Sequence, residues 1–344
     1  MNYTYKFPVV KGLQAGREYY IAMVPLKMIG KLFPREDEYV LPEYRAQRRI
    51  SEARIPVIKK YILNNRDSYV FSALAASIDG KFVFNEIDKS GLGMLEVSMD
   101  AKFLINDGQH RKAAILAAIS ECEELGEETI SVVFYEDFGL SRSQQMFTDL
   151  NKHAVKTSNS IAELYDSRDE VAVVTRSVID KIPFLSEYTD KEKDILGKYS
   201  SCLFTLNTFY NANKRILQKK NVDESDEEFL VKYWSYVADN ILLWKDLSNR
   251  EIAKSELREK YVVNQAIIIQ ALALIGRDIY TDKTLDMIEI CERLKTVDWS
   301  RSALCWRGRI INDNGRIMAG EKAITAAAKL LRITVGINKE EDGR

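Results

Sequence analysis

The junction at residues 103–115, where a strand, a tight turn and a helix follow one another, constrains the fold more than any other stretch. Residues 103–105 form a short apolar run that is typical of a buried strand. Asp107 is placed to cap the next helix, and Gly108 keeps a side chain out of the turn. Helix-forming residues with an apolar face continue to Ile119. We therefore predict an α/β unit with a helix N-terminus at its centre.

The start of this helix has the chemistry of a phosphate site. Its first N–H groups lack partners within the helix and carry the positive end of the helix dipole. His110 and Arg111 add two side-chain donors, and Asp107 or Gln109 could orient a water or hold a metal-bound one. An Asp-Gly turn followed by a histidine is also common in purely structural junctions, so a structural role stays open.

Composition excludes several classes of protein. The 344 residues carry a formal net charge of −1, so any nucleic-acid contact must come from a local basic patch. The four cysteines contain no C-x-x-C pair, which argues against a zinc site and favours reduced thiols. Residues 1–6 show no signal-peptide core, and the apolar stretch at 266–275 is too short to span a bilayer. We expect a cytoplasmic protein.

The first part of the chain, to about residue 160, mixes strands and helices. A basic helix is predicted over 42–54 and a second helix over 56–63, with Pro56 in its first turn. A capping box at Ser141 and Gln144 predicts a helix to Leu150. The stretch 103–135 resembles a βαβ unit, with a parallel pairing unproven. Strands are predicted at 19–24, 69–75, 82–84 (as a hairpin after Asp79-Gly80), 95–99, 103–105 and 129–135.

From residue 161 onward the pattern is helical. Residues 219–228 switch abruptly from basic to acidic, which predicts an exposed, mobile loop. We reject a helix-turn-helix near residue 250, because no turn signal interrupts a single long helix over 250–275. Trp306 is predicted to be buried core, whereas Arg307 and Arg309 favour DNA contact. Helices are predicted at 161–165, 170–182, 202–217, 229–243, 250–275, 284–294 and 321–331.

Residues 107–111 spell DGQHR, and the chain resembles the DGQHR-domain family, which includes the DndB proteins of DNA sulfur modification (phosphorothioation). The resemblance implies an α/β (α+β) ParB/sulfiredoxin-like domain over 1–160, followed by a mostly α-helical domain over 161–344. In the related superfold, a Gly and an Arg at a helix start hold nucleotide phosphates. The likeness extends to residues 46–49, 54–56, 61–62, 147–152, 298–300 and 306–309.

Two functions follow from the resemblance. The first is a DndB-like transcriptional regulator, or repressor, that binds the promoter or operator DNA of a phosphorothioation system; a homo-oligomer would suit a palindromic operator. Basic residues on predicted helices and in the tail are the expected phosphate contacts, although a solvated helix face is the common alternative. The candidate DNA-binding residues are Arg45, Arg48, Arg49, Arg54, Lys214, Arg215, Arg307 and Arg309.

The second function is binding and hydrolysis of a nucleoside triphosphate with Mg²⁺ at the DGQHR turn. Here Asp107, His110 and Arg111 would be catalytic, with Asp107 holding Mg²⁺ through water or orienting the attacking water. The chain contains no G-x-x-x-x-G-K-[ST] sequence, which excludes a P-loop. The residues expected to bind the nucleotide are Gly108, Gln109, His110, Arg111, Asn151 and Lys152.

Overall fold

The computed structural model describes residues 3–34, 51–87, 89–137, 139, 145–146, 148–149, 157–197, 199–219 and 221–337. The chain divides into two compact units, Met1–Val155 and Lys156–Arg344. Among the described residues, none of the helices combines the length and apolar composition needed to cross a bilayer. The predicted mixed α/β class is confirmed, and the ParB/sulfiredoxin-like arrangement stays a prediction.

The first unit is built on a seven-stranded sheet in the order β4-β5-β1-β2-β7-β3-β6. Neighbouring strands run antiparallel except β3 and β7, which are parallel. The strands are β1 Thr4–Gln14, β2 Arg17–Pro25, β3 Leu74–Asp79, β4 Phe82–Glu86, β5 Leu92–Ser98, β6 Lys102–Asp107 and β7 Thr129–Glu136. The helices are α1 Leu26–Leu32, α2 Ile55–Asn64 and α3 Gln109–Ile119, with 3₁₀ turns at Glu52–Arg54 and Glu123–Glu127.

One face of this sheet forms a core with the three helices. Successive side chains of a strand point to opposite faces of the sheet, so paired residues on neighbouring strands lie on the same face. Ala22 pairs with both Val9 and Val132, and Phe134 pairs with Ala76; all are buried. Buried residues of α1, α2 and α3 complete the same hydrophobic cluster. The predicted strands 19–24, 95–99, 103–105 and 129–135 lie within β2, β5, β6 and β7, apart from Met99 after β5.

Two features predicted for this sheet are wrong, and a third is confirmed only in part. Residues 82–84 form no hairpin with the preceding strand, because β3 already has β6 and β7 on its two edges; β4 pairs with β5 instead. The strand-helix-strand order predicted over 103–135 is confirmed as β6, α3 and β7, but the two strands do not run parallel, since β3 lies between them, antiparallel to β6 and parallel to β7. The strand predicted from residue 69 begins at Leu74, because the rings of Tyr69 and Phe71 pack together beside Tyr61 of α2.

The helices predicted in the first unit are described to different extents. The helix predicted over 56–63 lies within α2 and is confirmed. The helix predicted over 42–54 lies mostly outside the described residues, and only Glu52–Arg54 is seen, as a 3₁₀ turn. The helix predicted over 141–150 is described only at 145–146 and 148–149, which are helical.

The second unit is helical around a large core. The buried rings of Trp234, Trp244 and Trp306 lie in one cluster with the apolar helix α11, Ala266–Thr281. A short parallel pair, β8 Thr189–Asp190 and β9 Phe204–Thr205, accompanies the helices. These are α4 Asn159–Tyr165, α5 Glu170–Lys181, α6 Pro183–Tyr188, α7 Leu206–Leu217, α8 Glu224–Asn240, α9 Leu242–Ser248, α10 Lys254–Lys260, α11 Ala266–Thr281, α12 Met287–Glu292 and α13 Glu321–Val335, with 3₁₀ turns at Arg293–Thr296 and Leu304–Trp306.

The single helix predicted over 250–275 is wrong. The chain leaves α10 at Tyr261, which bridges to Ser300, and the Val262 N–H donates to the Trp299 carbonyl at 2.9 Å. This strand-like contact takes the backbone out of the helix until Ala266. A DNA recognition helix must expose the face that reads the bases. Most residues of α11 are buried, so α11 does not present such a face.

The exposed loop predicted around residues 219–228 is also wrong for the residues described there. Asp223 and Asp226 form a capping box that starts α8. Asp226 is 1 % exposed and accepts hydrogen bonds from Tyr280 at 2.6 Å and from Lys219 at 2.7 Å. The charge switch therefore marks a helix start, because the acidic residues satisfy its N–H groups and the lysine.

Candidate functional site

The DGQHR turn joins the edge strand β6 to α3. Asp107 ends the strand, Gly108 is the N-cap with φ 105°, and the Lys112 N–H donates to the Gly108 carbonyl at 2.9 Å. Among the described residues, no side chain caps this helix start. The predicted capping role of Asp107 is wrong, because its carboxylate accepts a hydrogen bond from Arg111 instead.

Gly108 is required here for two reasons. Its positive φ is a conformation that residues with a Cβ rarely adopt. A Cβ at this position would also overlap Cδ2 of the buried Leu74, far inside van der Waals contact. The glycine of the motif is therefore explained by packing at the strand–helix junction.

Arg111 clamps the turn to the chain that enters β3. Its Nη2 donates to Asp107 Oδ2 at 2.6 Å, and its Nη1 donates to the carbonyls of Ser72 at 2.6 Å and Ala73 at 3.0 Å. The arginine side chain is 16 % exposed and the aspartate side chain 42 %. Both terminal nitrogens of the Arg111 guanidinium therefore donate to acceptors within the protein.

His110 also has a partner inside the first unit. Its Nε2 accepts a hydrogen bond from the Ser51 N–H at 2.9 Å. An imidazole nitrogen that accepts carries no proton, so this contact corresponds to the neutral ring with its proton on Nδ1. The imidazole ties the start of α3 to the residue before the 3₁₀ turn that leads into α2.

Asp107, Gly108, Gln109, His110 and Arg111 are consecutive residues and occupy the junction between β6 and α3. Their catalytic and phosphate-binding roles stay predictions, and the contacts described above are structural. Apart from Arg54, the remaining predicted site residues of this unit, Asn151, Lys152, Arg45, Arg48 and Arg49, lie outside the described residues.

Sequence reasoning missed Asn106, which precedes the motif. Its side chain is fully buried, and its Nδ2 donates to Ser77 Oγ at 2.6 Å and lies 3.2 Å from Met146 Sδ. Its Oδ1 is buried and finds no hydrogen-bond partner among the described residues. The signal in the sequence was a polar amide directly after an apolar strand. The contact also places Met146, from the stretch predicted to be helical over 141–150, beside β6.

The predicted DNA-binding residues differ in their exposure and in the partners of their charged groups. Arg54 is exposed at the start of α2. Lys214 lies over the Tyr210 ring, with its Nζ 5.5 Å from the ring centroid. Arg215 makes two hydrogen bonds to the Glu321 carboxylate, at 3.0 and 2.7 Å, and a third to Gln270. The charge of Arg215 is therefore neutralised by an internal partner, which argues against the predicted DNA contact.

We call residues 301–316 the arginine segment, because it carries four arginines. Arg307, Arg309 and Arg316 are exposed and Arg301 is half-buried. Within the described part of the chain, no carboxylate forms an ion pair with any of these four. Their positive charge is therefore not neutralised by a carboxylate among the described residues, although Arg301 donates to the Gly315 carbonyl at 3.2 Å and Arg309 to the Cys305 carbonyl at 2.9 Å.

The arginine segment is anchored by tryptophan. Trp306 is fully buried, as predicted, and stacks on Trp299 with ring centroids 5.8 Å apart. Its Nε1 donates to the Asp298 carbonyl at 2.7 Å. The Arg301 N–H donates to the Lys260 carbonyl at 2.7 Å. The arginines are thus presented from an irregular but well-bonded backbone.

Comparison with known proteins identifies the family. Neither the curated proteins nor the solved structures contain a match to this chain. A family model described as DndB, DNA-sulfur modification-associated, matches residues 7–338, which is nearly the whole chain. The match covers the DGQHR turn and the arginine segment alike. The resemblance seen in the sequence is confirmed, and the chain belongs to the DndB family of DNA-sulfur modification-associated proteins.

Proposed function

We propose that this protein binds duplex DNA through the arginine segment and regulates transcription, as a repressor, of a DNA phosphorothioation system. The observation that carries the proposal is the set of four arginines without ion-pair partners among the described residues. Family membership supplies the link to DNA sulfur modification. Arg54, exposed on the first unit, is a second candidate contact.

Attraction of this protein to DNA depends on local charge. The chain has a formal net charge of −1, so attraction to DNA must come from a patch where positive charge is not cancelled. Guanidinium groups donate two parallel hydrogen bonds to phosphate oxygens, which fixes orientation as well as adding affinity. Such contacts position a protein on DNA, while promoter choice requires separate contacts to base edges.

The DGQHR turn enters this proposal as a structural element. Binding of a nucleoside triphosphate there would require Arg111 to exchange its contacts with Asp107, Ser72 and Ala73 for phosphate contacts. No contact of the described residues favours hydrolysis with Mg²⁺ at this turn, so it forms no part of the proposal.

An electrophoretic mobility shift with the DNA upstream of the protein's own reading frame tests this function. The double variant Arg307→Gln/Arg309→Gln is expected to bind at least about tenfold more weakly at moderate salt. The slope of log K against log salt should become shallower by about 0.9 for each lost phosphate contact. Both measurements use the full-length protein.

The matched control is Lys232→Gln/Lys322→Gln, which removes the same charge from two exposed positions outside the arginine segment. This control should bind DNA as the unchanged protein does. If both double variants weaken binding equally, general charge rather than the arginine segment explains the attraction. Absence of any specific shift with the upstream DNA would remove the regulator proposal itself.

A further inference from the structure

The second unit contains a cavity of about 680 Å³ beside the arginine segment. Residues from three parts of the chain line it: Glu259 and Lys260 at the end of α10 together with Tyr261, residues 300–302, and five residues between 307 and 315. Ligand pockets in proteins commonly enclose roughly 300–1,000 Å³. The volume is therefore suited to an organic molecule and is far larger than an inorganic anion needs.

Positive charge is concentrated in the walls of this cavity. Arg301, Arg307 and Lys260 all line it. Lys260 pairs with Glu256 at 2.9 Å, whereas the two arginines have no carboxylate partner among the described residues. Arg301 Nη2 donates to the Gly315 carbonyl at 3.2 Å, which holds the guanidinium in place. Two guanidinium groups in one pocket favour a phosphorylated or carboxylated ligand.

The other residues that line the cavity narrow the range of ligands that would fit it. Tyr261 offers an aromatic ring and Ile311 an aliphatic side chain. Glu259 and Asp313 also line the cavity, and their carboxylates accept hydrogen bonds but repel a second anionic group. A bare phosphate would leave these four side chains without a role. A ligand with an anionic end, a flat ring and hydroxyl or amino donors matches the whole lining.

Backbone hydrogen bonds hold the segments that line the cavity. Gly308 and Gly315 adopt left-handed conformations, with φ of 71° and 70°. The Gly308 N–H donates to the Ile311 carbonyl at 2.8 Å, and the Gly315 N–H donates to the Asn312 carbonyl at 2.9 Å. Two closed turns thus carry the lining residues, and a preformed site avoids the entropic cost of ordering a loop on binding.

We infer that this cavity binds a single nucleoside monophosphate unit. The arginines hold its phosphate, the Tyr261 ring supports its base, and the carboxylates accept hydrogen bonds from its sugar hydroxyl or base amino groups. The unit comes either from a free nucleotide or from a single-stranded DNA segment. This inference goes beyond duplex binding by the arginine segment, because it concerns a pocket that takes a single nucleotide unit rather than the backbone phosphates of a duplex.

Isothermal titration calorimetry with deoxyadenosine monophosphate, and fluorescence anisotropy with a short labelled single-stranded oligonucleotide, test the inference on the full chain. Arg301→Gln and Arg307→Gln should each weaken binding about tenfold or more, as expected when a charge-assisted hydrogen bond is lost. Tyr261→Leu should weaken both probes while leaving the much weaker binding of inorganic phosphate unchanged. Thermal melts confirm that each variant is folded.

Arg309→Gln is the matched control, because Arg309 belongs to the same segment but does not line the cavity. It should weaken duplex binding and leave monophosphate binding intact, so the two proposals fail separately. Binding of the oligonucleotide alone, with the same dependence on Arg301 and Arg307, identifies a DNA strand as the source. An equal loss of monophosphate binding in Arg309→Gln and Arg307→Gln would overturn the inference. So would the absence of saturable binding of either probe.

Discussion

At the scale of single residues, the DGQHR motif is explained largely by contacts within the first unit. The aspartate and arginine pair across the turn, the glycine fits a left-handed position against Leu74, and the histidine accepts from Ser51. Sequence alone could place these residues together but could not show that their polar atoms face one another. A motif with donors at a helix start is therefore not by itself evidence of a ligand.

Arg111→Ala is expected to lower the free energy of unfolding by about 2–3 kcal/mol, because it removes hydrogen bonds from a largely buried charged group. Asp107→Ala should cost less, since that side chain is 42 % exposed. The double variant should be little worse than Arg111→Ala, because the two side chains share one interaction. Urea denaturation measures all three. An Arg111→Ala protein of unchanged stability that has lost nucleotide binding would favour the catalytic hypothesis.

Glu163 on α4 gives the second unit a pH-dependent stability. Burial, together with the nearby Asp194 and Asp169, raises the pKa of its carboxyl to about 7, and its Oε2 has no hydrogen-bond partner among the described residues. A carboxyl whose folded pKa is raised favours folding at low pH. This contribution is complete below its ordinary pKa of 4.5 and is lost as the pH rises through about 7.

Glu163→Gln should therefore match the unchanged protein at about pH 5 and exceed its stability at about pH 9, by on the order of 2 kcal/mol. Urea denaturation at both values measures the difference. Glu292→Gln, at an exposed position, controls for the loss of one charge. A constant difference between Glu163→Gln and the unchanged protein across this range would contradict the assignment.

At the scale of elements, alternation and capping signals located most strands and helices of the described chain. They succeed because each signal is local: a two-residue period marks β5 and β7, and Pro56 marks the start of α2. These signals fail where a contact with residues distant in the sequence decides the local structure. Ser300 and Trp299 interrupt the helix predicted over 250–275, and β6 and β7 take both edges of β3.

The junction between β6 and α3 can be tested with two alanine substitutions. Gly108→Ala is expected to lower the free energy of unfolding by roughly 2–4 kcal/mol, because the positive φ and the contact with Leu74 both oppose a Cβ. Gly16→Ala is the control: Gly16 also has a positive φ, of 73°, but a Cβ there would have no described atom within 4 Å. It should cost only about 1 kcal/mol. Equal costs in chemical denaturation would show that packing at the junction is unimportant.

At the scale of the whole molecule, the two units have separate hydrophobic cores. The sheet core includes Phe134, and the helical core includes Leu272, both fully buried. All four tryptophans, at 234, 244, 299 and 306, belong to the helical unit. Tryptophan fluorescence therefore reports on that unit alone.

Leu272→Ala should lower the unfolding midpoint seen by tryptophan fluorescence, since truncating a buried leucine costs about 2–5 kcal/mol. Phe134→Ala should instead accelerate hydrogen exchange of the β7 amides, with little change in the fluorescence midpoint. Mass spectrometry resolves exchange in β7 and α11. A fluorescence midpoint that falls equally in both variants would show that the two cores unfold as one.

The sequence by itself determined the family, the mixed α/β class and the location of the DGQHR turn, because motifs and periodicity are properties of neighbouring residues. Only the tertiary structure decided the strand order, the internal pairing of Arg111 and Arg215, and the cavity beside Tyr261. The strand order, the cavity, the contacts of Arg111 with Ser72 and Ala73, and the pairing of Arg215 with Glu321 all depend on groups far apart in the chain. Whether a charged side chain meets a carboxylate or a ligand is decided by what the fold places within hydrogen-bonding distance.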